Sequence, residues 1–287
     1  LSVELNDISL DYIFETLNID NVSFGGRASG KFFGNSLLTS APRLSTPDLH
    51  IDRFSYNGAV LGDADIVSRW NNENMSVKLS ANISQDNGLH SYVDGEIFTK
   101  ADSLYMDFNT KKVNVAFMKP FMKAFTSDVG GEVSGHAVLY GNFHTINLYG
   151  DVFADSLRFK LDYTNVYYTC SDSVHIKPNL IKFDNIEISD RYKHHGYMSG
   201  WLKHDSFHNP VFNFSITGVK KLLCFDMPQS SGQNWYGTVF ANGSAFVAGE
   251  PGSVKVNLNL ETAPGSTFYF ALSDNAVANE YKFITFR

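Results

Sequence analysis

Signatures of catalysis are what this sequence most plainly lacks. No Gly-x-Ser-x-Gly, phosphate loop, His-Glu-x-x-His or dinucleotide fingerprint occurs in its 287 residues, which removes the usual bases for nucleophilic, phosphoryl-transfer, metallohydrolase and hydride chemistry. We read the chain as a non-enzyme that needs no cofactor. Cysteine is scarce: Cys170 and Cys224 stand in unlike contexts, too few for a disulfide framework, and are read as buried free thiols. Positive charge is also short, with 23 Lys and Arg against 30 Asp and Glu and a net charge of −7. Lys111-Lys112 and Lys220-Lys221 are only pairs, so the basic footprint of a nucleic-acid binder is missing. No run approaches the ~18 consecutive apolar residues of a membrane-spanning helix. The chain opens at Leu1, with no Met and no basic, apolar leader pattern, as expected of a segment of a longer precursor.

What the chain has is aromatic residues and alternation. Phe, Tyr and Trp make up 14% of it, and 43% is hydrophobic, enough for a substantial apolar surface. Apolar residues recur at every second position in five runs: Met75, Val77 and Leu79; Leu104, Met106 and Phe108; Leu157, Phe159 and Leu161; Phe212, Phe214 and Ile216; Val254, Val256 and Leu258. Side chains alternate across a strand, so each run is a ribbon with one apolar and one polar face. Turn signals such as Asn57-Gly58, Asp86-Asn87-Gly88 and Pro251-Gly252 punctuate the ribbons, which predicts an all-β, antiparallel fold. Three short helices are expected, at Ser9–Leu17, Lys119–Phe125 and Lys221–Phe225, the middle one carrying Phe121, Met122 and Phe125 on one side.

The ribbons repeat. His90-Ser-Tyr-Val-Asp-Gly95 returns as His195-Gly-Tyr-Met-Ser-Gly200, and Gly26-Arg-Ala-Ser-Gly30 returns as Gly131-Glu-Val-Ser-Gly135, both 105 positions on. A looser copy, Gly237-Thr-Val-Phe-Ala-Asn-Gly243, follows. A period this long stacks whole sheet sections end to end, so residues 1–287 read as one continuous segment with units of about 1–115, 116–220 and 221–287. The glycines read as bends or close backbone approaches within strands. Polar and charged neighbours interrupt them, against a membrane-helix pairing motif.

Other candidate chemistry is weaker. His194, His195, His204 and His208 cluster in sequence, but adjacent strand residues point to opposite faces, so the histidines read as a surface or hairpin-end group and no metal is expected. Asp63 and Asp65 share a ribbon face and read as solvated acids. Trp70, Trp201 and Trp235, with the many tyrosines, leave open a β-sandwich module that binds sugar or protein. Periodicity by itself fits a closed sandwich core.

The closing half carries a family pattern. Gly131-Glu-Val-Ser-Gly-His-Ala-Val-Leu-Tyr-Gly141, Tyr236-Gly-Thr-Val-Phe-Ala-Asn-Gly-Ser-Ala-Phe-Val-Ala-Gly249, Gly265-Ser-Thr-Phe-Tyr-Phe270 and Tyr281-Lys-Phe-Ile-Thr-Phe286 resemble, in succession, the later part of TamB-like proteins of the translocation and assembly module. The resemblance implies an elongated U-shaped sheet, or β-taco, with an apolar groove. It implies a periplasmic segment of an inner-membrane-anchored envelope protein that passes phospholipid between membranes, supports outer-membrane protein assembly, or does both. The partners it implies are phospholipid, an outer-membrane assembly barrel of the BamA/TamA class and nascent outer-membrane β-barrel proteins. It brings no catalytic or metal-binding residues. The fifteen ribbon residues above are then the expected groove lining, and a free sheet edge could capture a strand by β-augmentation.

Overall fold

The computed structural model describes residues 2–12, 23–35, 43–122, 126–142, 145–205 and 208–270. The strands are β1 (Ser2–Ser9), β2 (Phe24–Asn35), β3 (Arg43–Tyr56), β4 (Ala59–Asn71), β5 (Ser76–Ser84), β6 (His90–Phe98), β7 (Ser103–Asn114) and β8 (Val129–Asn142). They continue as β9 (Thr145–Leu161), β10 (Val166–Lys177), β11 (Leu180–Ser189), β12 (His195–Asp205), β13 (His208–Met227), β14 (Trp235–Glu250), β15 (Ser253–Thr262) and β16 (Thr267–Phe270). All sixteen lie in one sheet, and from β1 to β15 each strand pairs with the next. Every pairing is antiparallel. β16 returns to β14 on the flank that β15 occupies. The sheet is therefore an open meander. A two-layer sandwich is not formed, because the described strands supply no second sheet.

The repeat is visible in the backbone. Gln85 N–H donates to Leu89 O and Gly88 N–H to Gln85 O, both at 2.9 Å. At the matching positions, Asp190 N–H donates to His194 O and Lys193 N–H to Asp190 O, both at 3.0 Å. The two hairpin turns, β5–β6 and β11–β12, are the same turn 105 residues apart, so β2–β7 and β8–β13 form two six-strand units.

Bulges interrupt the alternation at regular places. Asp7, Arg53, Lys112, Ser156, Asn185 and Lys221 all take a left-handed conformation, with φ between 49 and 56°. Each donates its N–H to a side-chain oxygen on the adjacent strand: Ser29, Asp63, Ser134, Ser171, Ser199 and Asn242, respectively, at 2.8–3.0 Å. The extra residue leaves the ladder, and its freed donor is satisfied sideways. Asp7–Ser29 and Lys112–Ser134 are the same staple 105 residues apart. This explains the glycine motif. Ser29, Ser134 and Asn242 supply the acceptor, while the following Gly30 and Gly135 lie so close to the next strand that an added Cβ would sit 2.5 Å from a carbonyl oxygen.

The helical expectations fare unevenly. Val115–Met118 is a 3-10 turn and α1 (Lys119–Met122) a single helical turn, with Met122 half-buried. Phe125 lies outside the described residues, as does most of Ser9–Leu17, of which Leu10–Tyr12 are helical. Lys221–Phe225 is not a helix but part of β13. Its adjacent apolar residues are accommodated by register shifts against β14 between Val219 and Leu222 and between Leu223 and Phe225, which rotate successive side chains inward without helical winding.

Candidate functional site: one apolar sheet face

Directly paired residues in a sheet share a face, so the pairing register assigns every ribbon. One transverse row runs Ile66, Ala81, Val93, Phe108, Ala137, Gly150, Ile176, Ile181, Leu202, Phe212, Gly249, Val254, crossing from β4 to β15. Every member is apolar or glycine. The row one residue away on the opposite face runs Asp65, Asn82, Tyr92, Asn109, His136, Asp151, His175, Lys182, Trp201, Asn213, Ala248, Lys255. Two neighbouring lines of residues thus separate the two faces by chemistry across twelve strands.

Fourteen of the fifteen expected lining residues fall on the apolar face. Val77 and Leu104 align through Ile97, Leu79 and Met106 meet across Gly95, and Phe108 sits in the row above. Leu157, Phe159 and Leu161 pair with Cys170, Tyr168 and Val166. Phe214 and Ile216 join Val256 and Leu258 through Val247 and Ala245. Met75 is the exception. It precedes β5 in the Asn72–Met75 turn with φ 53°, and its carbonyl accepts from Thr99 Oγ1. Alternation counted back from Val77 reaches Met75, but the strand ends one residue earlier.

Burial grades along the face. At the hairpin-turn end two dry clusters form. One gathers Ala28, Ile51, Ala64, Ala81, Ile83 and Val93; the other includes Val166, Tyr168, Ile186, Ile188, Leu222, Leu223 and Phe240, with Leu157, Phe159, Leu161 and Ile216 packed against it. The second cluster is sealed because β10 and β13 meet beyond the β11–β12 turn. Tyr168 Oη donates to Leu223 O at 2.8 Å, Asp226 N–H to Thr164 O at 3.0 Å and Asn165 Nδ2 to Asp226 O at 2.7 Å. Asp190, 2% exposed, sits inside this closure. Its carboxylate accepts from the N–H groups of Tyr192, His194 and Leu223 and lies 3.1 Å from His194 Nδ1. Met106 and Phe108, at the margin of the first cluster, are only half-buried, as are Leu104, Phe212 and Phe214. On β15, Val254, Val256 and Leu258 are 50%, 52% and 63% exposed. Among the described residues nothing forms a second layer over them.

The polar candidates have structural partners. Asp63 staples Arg53, while Asp65 lies 2.7 Å from His50. The sequence cluster of histidines disperses: His194 joins Asp190, and His195 lies edge-on to Tyr197. Among the described residues no three His, Cys, Asp or Glu side chains are placed to hold a metal. Trp70 and Trp201 lie under Arg43 and Lys203. Cys170 and Cys224 are free, and burial pushes both thiols up to about 11, which leaves them poor nucleophiles near neutral pH. The residues that sequence reasoning missed are the staple acceptors and Asp190. The Ser-Gly pairs 105 residues apart, with the Asn-Gly pair of the looser copy, were the signal for Ser29, Ser134 and Asn242.

No family model, curated protein or solved structure matches this chain.

Proposed function

We propose that this chain is a segment of an envelope lipid bridge, whose apolar sheet face holds phospholipid acyl chains as they pass between membranes. The observation that carries the reading is the unbroken apolar row from β4 to β15 on a face without a second layer among the described residues. Such a face exposed to water is costly for a soluble fold. Acyl chains remove that cost: each buried methylene contributes about 0.8 kcal/mol, so a long chain gains roughly 10 kcal/mol if fully covered and about half on an open face. Strands spaced about 4.8 Å apart give the fifteen-strand path a contour of roughly 70 Å, and the unbroken apolar row lets a chain slide from strand to strand.

The TamB-like resemblance supports the same reading, with its U-shaped trough and its periplasmic, inner-membrane-anchored setting. Barrel-protein assembly with an assembly-barrel partner is the other use that resemblance implies; the apolar row that runs unbroken from β4 to β15 favours lipid. The test is native mass spectrometry with lipid extraction on the chain purified without detergent, alongside Phe214→Asp and Leu104→Asp. Copurifying phospholipid that both substitutions remove, with circular dichroism unchanged, supports the bridge. A lipid-free wild type that also fails to take up phospholipid from vesicles overturns it.

A further inference from the structure

The two edges of the sheet differ in a way that points outward. β1 is short and broken by the stapled bulge at Asp7, and Asp7 is also ion-paired with Arg27, features that spoil an edge as a template for another strand. β15 has none of these. It pairs with β14 in uninterrupted register from Ala241↔Thr262 to Glu250↔Ser253, and its ten residues contain no proline and no left-handed residue. Its counterparts in the two units, β3 and β9, are each bulged, at Arg53 and Ser156, and each is flanked by a further strand. Among the described residues β15 has no strand on its outer side.

The order of side chains along β15 selects its partner. We propose that the β15 edge is a dimer contact with a second copy of this chain, the two β15 strands running antiparallel about a two-fold axis at Leu258. In that register Lys255 faces the partner's Glu261, and Glu261 faces the partner's Lys255. Asn257 faces the partner's Asn259 on the same polar side. On the other side Val256 faces the partner's Leu260 and Leu258 faces the partner's Leu258. Charges are opposed, amides meet amides and apolar residues meet apolar residues, which is the complementarity an isologous contact requires. Shifting the register by two residues in either direction removes Lys255 from Glu261. A two-fold axis normal to the sheet keeps the faces in phase, so the apolar faces of the two copies become one surface. The contact is backbone-led and small, so it belongs with weak, concentration-dependent interfaces. It does not depend on what covers the apolar face.

The experiment is sedimentation velocity on the full chain over a concentration series up to about 100 μM, within reach of such weak contacts, for the wild type, Lys255→Glu, Glu261→Lys and the double exchange Lys255→Glu/Glu261→Lys. The expected result is a wild-type dimer, at least about tenfold weakening in each single variant, where like charges now oppose each other twice, and recovery in the double exchange. Recovery also shows that the single variants had not merely misfolded. A wild type that stays monomeric at every concentration overturns the proposal, whether the edge is covered by another part of the chain or kept for a different strand. So does a dimer indifferent to the reversals.

Discussion

In the unit β2–β7 the hairpin turn Gln85–Leu89 is tied to the neighbouring strand by a half-buried amide, Gln85 Nε2 donating to Lys111 O at 2.7 Å. In the unit β8–β13 the same turn is tied by Asp190, whose side chain is fully buried and draws in Leu223 N–H at 2.8 Å. The closures differ accordingly. Asn57 Nδ2 reaches Phe117 O at 3.3 Å and Tyr56 packs on Phe117 in the first unit, whereas the second adds Tyr168 Oη to Leu223 O and the strand-to-strand bond from Asp226. One repeat geometry thus supports two strengths of closure: a buried carboxylate with several donors organises a seam that a half-buried amide with a single contact only brushes. We take the second unit as the anchor of the sheet and the first as its looser copy.

That contrast breaks most severely at Asp190. Asp190→Ala should cost about 3–5 kcal/mol, because it strands three N–H groups in a dry site, while Gln85→Ala at the matching position should cost less than about 0.5 kcal/mol. Urea unfolding of both variants checks it, and equal losses would make the units equivalent. The second test is alkaline pH. Both thiols lie in or next to the second unit's closure, and burial raises each to about 11. A thiol whose folded value lies above its unfolded one binds its proton more tightly when folded, so its contribution is complete below about 9 and is lost as pH rises towards 11, up to about 2–3 kcal/mol per thiol. Hydrogen exchange should show β10–β13 loosening in this window before β2–β7, and Cys170→Ser should change the slope.

Smaller effects sharpen the comparison. Tyr168→Phe removes the hydroxyl from Leu223 O and should cost about 1–2 kcal/mol, detectable as earlier exchange at Leu223. Ser134→Ala leaves the Lys112 N–H without its staple and should cost about 1 kcal/mol. Ser29→Ala, which releases only the staple to the edge strand β1, should cost less. Paired denaturation curves would separate these two, and a larger loss at Ser29 would reverse the gradient we infer along the sheet.

The period of 105, the alternation and the turn signals specify strands, their order and their antiparallel sense, since these rest on local backbone preferences and on side chains that point alternately to two sides. The phase of the alternation was harder to read. Phe108 and Val113 share a face although their numbers differ by an odd step, because a bulge at Lys112 intervenes; Ala154 and Leu157 do so across Ser156, and Phe183 and Ile186 across Asn185. A bulge is invisible in a hydrophobic pattern and looks like a slip. Its acceptor sits on another strand, and in the case of Lys112 and Ser134 it is 22 residues away. For the same reason Leu222, Leu223 and Phe225 resembled a helix, and Met75 resembled the start of a ribbon.

By itself, then, the sequence determined an all-β antiparallel meander, with apolar and polar residues in separate registers. Which residues are dry was decided only by the fold. Leu223 at 1% exposure and Leu258 at 63% belong to equally apolar runs. One is covered because β10 and β13 meet above a turn anchored by Asp190, and the other is bare because, among the described residues, no strand lies on the outer side of β15. Burial depends on neighbours distant in sequence, and no local pattern encodes where a sheet closes or where it stops.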